Sequence, residues 1–136
     1  MAFLGLDWGR KFVGYATADE EGMVITPRSY FERKVSQAKT WVLVENDISL
    51  LKKILVDWEV THIVLGLPLN ADGTESEASV SAQKLAQDLS KNLGCEVTLT
   101  DERLSSWEAK SSSKESHPRA AAVILKNYFE DRKIKK

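Results

Sequence analysis

A chain of 136 residues, 43% of them apolar, is long enough to bury one core of ordinary size and too short for two such domains. We therefore treat residues 1–136 as a single domain. The 19 Lys and Arg are offset by 20 Asp and Glu, which excludes an overall positive field, so any contact with nucleic acid must be local. Because the first apolar run reaches Asp7 after a few residues and Cys95 is the only cysteine, we expect a cytoplasmic protein without a membrane anchor or internal disulfide.

The beginning of the chain has the pattern of β-strands. Ala2 to Leu6 and Phe12 to Ala18 are apolar runs on either side of a glycine-containing turn, which predicts a hairpin. A third strand is predicted from Met23 to Tyr30, where Pro27 favours a position at the edge of the sheet. Three consecutive antiparallel strands are the simplest arrangement of these segments.

Helical periodicity begins after the third predicted strand. Apolar residues at helical spacing predict a helix with Asn46 or Asp47 as its cap. Thr61 to Leu67 is a nearly continuous apolar run, typical of a strand that is buried on both faces in a parallel arrangement. The apolar residues of the predicted helix are Ile48, Leu51, Leu55 and Trp58.

The rest of the chain alternates helices with one more strand. Thr74 and Glu77 form a capping-box pattern before a helix that we expect to end near Gly94. Glu96 to Thr100 alternates like a strand. Strands that alternate with helices after an antiparallel meander predict an α/β fold with one mixed sheet. One further helix is predicted to begin near Ser105, and the last helix is predicted to span Ala120 to Phe129. In the helix before Gly94, the residues predicted to face inward are Ala78, Ala82, Leu85, Ala86 and Leu89.

Acidic residues follow two of the predicted strands. Asp7 closes the first strand, and Asp101 and Glu102 follow the last one. Ligands collect at the carboxyl ends of strands, so we expect Asp7 and Asp101 to lie at adjacent strand ends and to share a divalent cation. Consecutive strand residues point to opposite faces, so Asp101 and Glu102 need not both reach one ion. Alternatively, Asp7 bonds its own backbone in a turn, and Glu102 pairs with Arg103.

Polar and basic residues lie in the loops beside these acids. Asn70 and Asp72 follow the apolar strand that ends at Leu67, where they could bind substrate or metal; the alternative is that Pro and Gly alone shape this loop. Arg10, Lys11 and Arg103 are placed to hold phosphates, with solvated basic residues as the alternative.

Two aromatic and two histidine residues remain to be assigned. Trp8 and Trp107 lie close to the acidic motifs, where exposed aromatic rings could stack on bases, whereas the alternative places Trp107 in the core. His62, at the start of the apolar strand, is predicted to be structural. His117 precedes Pro118 at the start of the last helix, a position that also suits an exposed residue without a function.

Four stretches of the sequence together resemble the YqgF family of Holliday junction resolvases and pre-16S rRNA nucleases. They are Leu4 to Ala16 (LGLDWGRKFVGYA), Ile63 to Thr74 (IVLGLPLNADGT), Val97 to Ala109 (VTLTDERLSSWEA) and Ala120 to Phe129 (AAAVILKNYF). The resemblance implies an RNase H-like fold, in which three antiparallel and then two parallel strands form a mixed five-stranded sheet flanked by helices. It also implies a nuclease that uses Mg²⁺ or Mn²⁺ on pre-16S rRNA or branched DNA, as a monomer or homodimer.

The resemblance assigns roles to individual residues. Asp7 and Asp101 match the family's acidic positions and would ligate metal, with Glu102 beside them as a further catalytic residue. His117 stands where the family usually has an aspartate, and an imidazole suits Mn²⁺ better than Mg²⁺. The stretch between Ala109 and His117 is also shorter than the family's usual loop. The alternative prediction is therefore a catalytically silent module that binds nucleic acid or the ribosome.

Overall fold

A computed structural model describes residues 1–67, 77–101 and 116–134 of the chain. Helices and strands alternate there as the sequence patterns predict, and a short 3₁₀ helix (Gln37–Lys39) follows the third strand. The main elements in chain order are β1 (Ala2–Trp8), β2 (Phe12–Ala18), β3 (Ile25–Glu32), α1 (Glu45–Asp57), β4 (Val60–Leu67), α2 (Glu77–Leu93), β5 (Glu96–Asp101) and α3 (Ser116–Ile134).

The five strands form one mixed sheet in the order β3-β2-β1-β4-β5. The pairs β1/β2 and β2/β3 are antiparallel, whereas β1/β4 and β4/β5 are parallel, which confirms the predicted arrangement. β3 is an edge strand, as Pro27 indicated, and the register shifts where Pro27 lies opposite Ala16. Proline has no N–H to donate, so it is tolerated at an edge with an irregular register.

The starts of β3 and of α1 differ from the predicted ones for local reasons. β3 begins at Ile25 because the Asp19 side chain extends the preceding turn, accepting hydrogen bonds from the N–H groups of Met23 and Val24. The cap of α1 is Val44, whereas Asp47 lies in the first turn and accepts the Val44 N–H at 3.2 Å. The predicted cap at Asn46 or Asp47 is therefore wrong, although Asp47 does satisfy a backbone donor at this helix start.

Helix α1 also ends earlier than its apolar spacing indicated. Its last residue is Asp57, and Glu59 has a left-handed backbone angle (φ 52°) that is incompatible with a continued helix. Trp58 consequently lies beyond the helix and is 37% exposed, with the Arg28 guanidinium 4.0 Å from its ring centroid. The buried apolar residues of α1 are Leu51 and Ile54.

The core has two layers, one on each face of the sheet. Alternate residues of β1 (Leu4, Leu6 and Trp8) belong to the cluster that α1 and α2 cover, whereas Val64 of β4 belongs to the cluster under α3. The residues of α2 that are buried in the first cluster are Leu85, Ala86 and Leu89, and Ala82 is buried as well. These positions confirm the inward face predicted for α2, except for Ala78, whose side chain lies outside the described residues.

The end of α2 and the start of β5 agree with their sequence signals. Gly94 has a φ of 70° and donates its N–H to the Ser90 carbonyl, which ends the helix in the manner typical of glycine. Cys95 is half-buried, and burial raises the pKa of its thiol. A thiol of this kind behaves as a small apolar residue rather than as a nucleophile.

Two glycines let α3 approach the sheet closely. A Cβ atom at Gly5 would lie 2.6 Å from the Ala121 carbonyl oxygen and 2.7 Å from Cγ of Leu125. A Cβ atom at Gly14 would overlap the carbonyl group of His117 and lie 2.5 Å from its Cβ. The start of α3 is therefore pressed against β2 at Gly14.

Among the helices of the described ranges, none has the length and apolar character needed to cross a bilayer.

Candidate active site

The predicted acidic residues of two strands lie at the same edge of the sheet. Asp7 is the penultimate residue of β1, and Asp101 is the last residue of β5, where it pairs with Leu67 of β4. The expectation that their strands are adjacent is wrong, because β4 lies between β1 and β5. Both parallel pairs keep the carboxyl ends of β1, β4 and β5 together, so the two backbone positions still share one edge.

The start of α3 brings His117 to the carboxylate of Asp7. Nδ1 of His117 lies 2.8 Å from Oδ2 of Asp7, and the two side chains are 24% and 20% exposed. Gly14 is the strand partner of Asp7 on β2, and its missing side chain leaves the space that the His117 backbone occupies. The Phe12 ring lies beside the imidazole, with the ring centroids 5.6 Å apart. His117 is therefore not merely an exposed residue at a helix start.

The hydrogen bond determines how the imidazole presents its second nitrogen. An ionised carboxylate can only accept hydrogen bonds, so Nδ1 of His117 carries the proton that it donates to Asp7. In a neutral imidazole, Nε2 then holds the lone pair and can ligate a cation or accept a proton. A carboxylate that orients a ligating histidine in this way is common at metal centres.

A divalent cation fits the donor chemistry of this pair in part. Asp7 offers carboxylate oxygens and His117 offers an imidazole nitrogen, a mixture that suits Mn²⁺ better than Mg²⁺. Among the side chains that the structure describes, no three of His, Cys, Asp or Glu come close enough together to hold a metal ion. The predicted further site residues lie outside the described residues: the Asp101 side chain, Glu102, Arg103, Asn70 and Asp72.

The turn between β1 and β2 carries the predicted phosphate-binding residues. Arg10 and Lys11 are both exposed in this turn, three and four residues after Asp7. Trp8, however, is buried, and its Nε1 donates a hydrogen bond to the Thr40 carbonyl at 2.7 Å. The prediction that Trp8 could stack on bases is therefore wrong. Strand alternation directs Trp8 to the same face as Leu4 and Leu6, whereas Trp107 lies outside the described residues.

Two further polar side chains, His62 and Arg33, have partners within the described part of the chain. His62 is structural as predicted, since its ring stacks on Phe3 and its Nε2 lies 2.7 Å from Oγ1 of Thr98. Arg33 was not singled out, yet its buried guanidinium binds the Asp47 carboxylate through two nitrogens. An arginine at a strand end and an aspartate in a helix start carry no signal of such a pair, because each residue is common at its own position.

The fold and this edge of the sheet define the class of protein. The strand order β3-β2-β1-β4-β5, with three antiparallel and then two parallel strands, is that of an RNase H-like fold. The family model described as "RuvX: Holliday junction resolvase" matches residues 1–131. The chain therefore belongs to the RuvX family, to which the YqgF-type motifs of its sequence already pointed.

Curated relatives match the chain over nearly its whole length. A protein of Anaeromyxobacter sp. (strain Fw109-5) is 36% identical over 143 residues, covering 97% of this chain and 98% of the relative. A protein of Klebsiella pneumoniae (strain 342) is 33% identical over 139 residues, covering 94% and 95%, respectively. Both carry the name "Putative pre-16S rRNA nuclease".

Solved structures of resolvases share the fold at low sequence identity. RuvC of T. thermophilus in complex with a Holliday junction substrate superposes with a TM-score of 0.61 at 14% identity, covering 98% of this chain and 96% of that chain. The Fowlpox virus resolvase in complex with Holliday junction DNA gives a TM-score of 0.55 at 11% identity, covering 97% and 99%. At these identities the likeness concerns the fold alone.

Proposed function

We propose that this protein is a metal-dependent endonuclease that hydrolyses phosphodiester bonds in structured nucleic acid. The observation that carries the proposal is the Asp7–His117 pair at the carboxyl edge of β1, beside the exposed cations Arg10 and Lys11. A carboxylate at this edge supplies the charge that a divalent cation needs, and the neighbouring cations supply partners for phosphates. The family to which the chain belongs supports a nuclease.

The proposed substrate is the end of a pre-16S rRNA, with branched DNA as the second substrate. The names of the curated relatives favour the RNA, and the description of the family model favours the junction. With a formal net charge of −1, the protein must hold either polyanion through local cations. We assign this role to Arg10, Lys11 and Arg103, and we assign substrate contacts to Asn70 and Asp72.

The proposed catalytic set consists of Asp7, Asp101 and Glu102, with Asp7, Asp101 and His117 as the metal ligands. Mg²⁺ or Mn²⁺ bound there would supply activation of a water molecule and stabilisation of the leaving oxygen. Asp7 holds His117 by the 2.8 Å hydrogen bond to Nδ1, which leaves Nε2 as the imidazole nitrogen that could ligate a cation. Arg10 and Lys11 would hold phosphates on either side of the scissile bond, which fixes the backbone of the substrate.

The proposed place of action is the cytoplasm, because a lone, half-buried cysteine suits a reducing compartment. For an RNA end a monomer suffices. Symmetric cleavage of a four-way junction requires two sites related by two-fold symmetry, and thus a homodimer. The substrate and the oligomeric state are therefore linked, and measuring one of them constrains the other.

A second candidate function is a catalytically silent module that binds nucleic acid or the ribosome. The hydrogen bond from His117 to Oδ2 of Asp7 favours it, because the bond occupies one carboxylate oxygen that a cation would otherwise take. His117 also replaces an acid in the family pattern. The two candidates differ in whether phosphodiester bonds are broken, not in whether nucleic acid binds.

A cleavage assay tests the proposal directly. Purified protein is incubated with end-labelled pre-16S RNA and with a labelled four-way DNA junction, in Mg²⁺ and Mn²⁺ separately, with Asp7→Asn as the control for a contaminating nuclease. We expect metal-dependent cleavage of at least one substrate by the unaltered protein and none by the variant. Binding without cleavage under all four conditions would contradict the enzyme and support the silent module.

A further inference from the structure

Arg33, which follows β3, is a buried arginine whose N–H donors are all engaged. Its side chain and that of Asp47 are 0% and 1% exposed. Nε and Nη2 bind the two oxygens of Asp47 at 3.1 and 2.9 Å. Nη1 donates to the carbonyls of Gly9 (2.9 Å) and Thr40 (2.7 Å), and Nη2 also donates to that of Val42 (2.9 Å). These five bonds use the complete donor capacity of a guanidinium group.

The residue holds the β1–β2 turn from two sides. Its guanidinium binds the Gly9 carbonyl, and its backbone N–H donates to the Lys11 carbonyl at 2.7 Å. Arg10 lies between these two anchored carbonyls. The guanidinium also lies over the Trp8 ring, 4.6 Å from its centroid, so the residue that precedes the turn is held as well. The turn that carries Arg10 and Lys11 is thus attached to the start of α1 through Arg33.

Stability alone does not require an ion pair at this position. Burying two charges carries a large desolvation cost, and apolar residues of similar volume often stabilise a core equally well or better. Apolar side chains, however, cannot donate hydrogen bonds to the Gly9 and Thr40 carbonyls. The distinctive contribution of Arg33 is therefore the geometry of the backbone that it holds.

We propose that Arg33 is a positioning residue for substrate binding: through Asp47 and the Gly9 carbonyl, it orders the β1–β2 turn so that Arg10 and Lys11 meet the substrate phosphates next to Asp7. The inference rests on the phosphate role assigned to Arg10 and Lys11 in the proposed function. The positioning role can be tested separately from catalysis, because ordering of the turn and affinity for phosphates can be measured without cleavage.

The test uses a double variant, Arg33→Met with Asp47→Leu, which replaces the ion pair by apolar side chains and leaves neither charge unpaired. Denaturant unfolding checks that its stability is close to that of the unaltered protein. We expect amide hydrogen exchange at Arg10 and Lys11 to become at least about tenfold faster, whereas exchange at Leu6 within β1 stays unchanged. Arg33→Lys keeps the charge but lacks the planar fork, so we expect amide exchange in the turn to be faster than in the unaltered protein in this variant too.

Nucleic-acid affinity provides the readout that a purely structural role would not change. The dissociation constants of labelled precursor RNA and of a labelled four-way DNA junction are measured in EDTA over a range of salt concentrations. The salt slope is the slope of the logarithm of the binding constant against the logarithm of the salt concentration. Each lost phosphate contact lowers its magnitude by about 0.9 for duplex DNA and about 0.7 for single strands. The double variant should lose about two contacts, and adding Arg10→Ala and Lys11→Ala should then have no further effect.

A matched control removes another arginine, Arg28, which lies in the middle of β3. Arg28 bonds Oγ1 of Thr17 and stacks on Trp58, so Arg28→Met should leave the slope unchanged. In cleavage assays the double variant should raise KM at nearly constant kcat, because substrate binding is affected and Asp7 is not. The inference would be overturned by two results together: the double variant has the same salt slope as the unaltered protein, and adding Arg10→Ala and Lys11→Ala to it lowers the affinity as much as in the unaltered protein. Binding as expected without any cleavage would count against the nuclease instead, and the positioning role would stand.

Discussion

At the scale of single residues, the contact between Asp7 and His117 decides what the site can do. The two residues are 110 positions apart in the chain, yet their side chains are joined by a 2.8 Å hydrogen bond. If Asp7 ligates the cation directly, either the hydrogen bond from His117 breaks or Oδ2 of Asp7 accepts it while also contacting the cation. If His117 ligates through Nε2, Asp7 orients it. Substitutions at the two positions separate these arrangements.

Asp7→Asn should abolish nuclease activity and preserve the fold. The amide keeps the size of the side chain, and its oxygen can still accept the hydrogen bond from Nδ1 of His117, but the charge that holds the cation is lost. We expect cleavage to fall by roughly 100-fold or more, since losing even an outer partner of a metal ligand costs about 10- to 100-fold. Asp57→Asn, at the exposed end of α1, serves as the control. Cleavage by Asp7→Asn at the rate of the unaltered protein would show that Asp7 is not a ligand.

His117→Asp should shift metal use toward Mg²⁺. Mg²⁺ prefers oxygen ligands and Mn²⁺ accepts an imidazole, so the unaltered protein should cleave faster in Mn²⁺, and the variant should cleave comparably in both ions. The measurement is the ratio of initial rates in the two metals. If His117→Ala and the unaltered protein give the same ratio, His117 has no role as a ligand, and the silent module gains support if neither the unaltered protein nor His117→Asp cleaves.

At the scale of elements, the site depends on how closely α3 packs on β2. Gly14→Ala would force the new methyl group into the His117 backbone, which moves the start of α3 away from Asp7. We expect a loss of stability of about 1–3 kcal/mol from overpacking, together with loss of cleavage. Gly94→Ala should also destabilise, by about 1 kcal/mol, because of its left-handed backbone, but nothing lies within 4 Å of a Cβ there and cleavage should persist. Equal cleavage by the two variants would mean that the packing of α3 does not control the site.

Asp101 is the last residue of β5 and Glu102 follows it in the sequence, and we expect only one of these two acids to act together with Asp7. Residues that follow one another along a strand alternate between its faces, and Asp7 belongs to the series of β1 that includes Phe3 and Gly5, beneath α3. We therefore expect Asp101→Asn and Glu102→Gln to have unequal effects, one reducing cleavage by roughly 100-fold and the other by less than about tenfold. Equal losses in the two variants would contradict this use of strand alternation.

At the scale of the whole molecule, metal binding should appear in the thermal stability. An ion that binds only the folded protein stabilises it by about 2.7 kcal/mol at a concentration 100-fold above its Kd. For a chain of this size that corresponds to a rise in Tm of roughly 10 °C. We expect Mn²⁺ to produce such a rise and Asp7→Asn to remove it, as measured by differential scanning calorimetry. A Tm that does not respond to either metal would favour the silent module over the enzyme.

Much of the fold could be predicted from local patterns in the sequence. Short apolar runs predicted β1 and β2, the continuous apolar run before Leu67 predicted a buried parallel strand, and Pro27 indicated an edge strand. These features follow from backbone geometry over a few residues, so they are legible without knowledge of distant contacts. The position of Asp7 at a strand end was predictable for the same reason.

The contacts that complete the candidate site were decided by the tertiary structure. Three of these features involve residues from different parts of the chain. Arg33 pairs with Asp47, β4 lies between the strands of Asp7 and Asp101, and His117 packs over Gly14. Each depends on strand order or on how closely a helix can approach the sheet, and local periodicity encodes neither. Local sequence patterns therefore specify the elements and the acidic strand end, whereas the packing of α3 and the buried ion pair specify which side chains meet there.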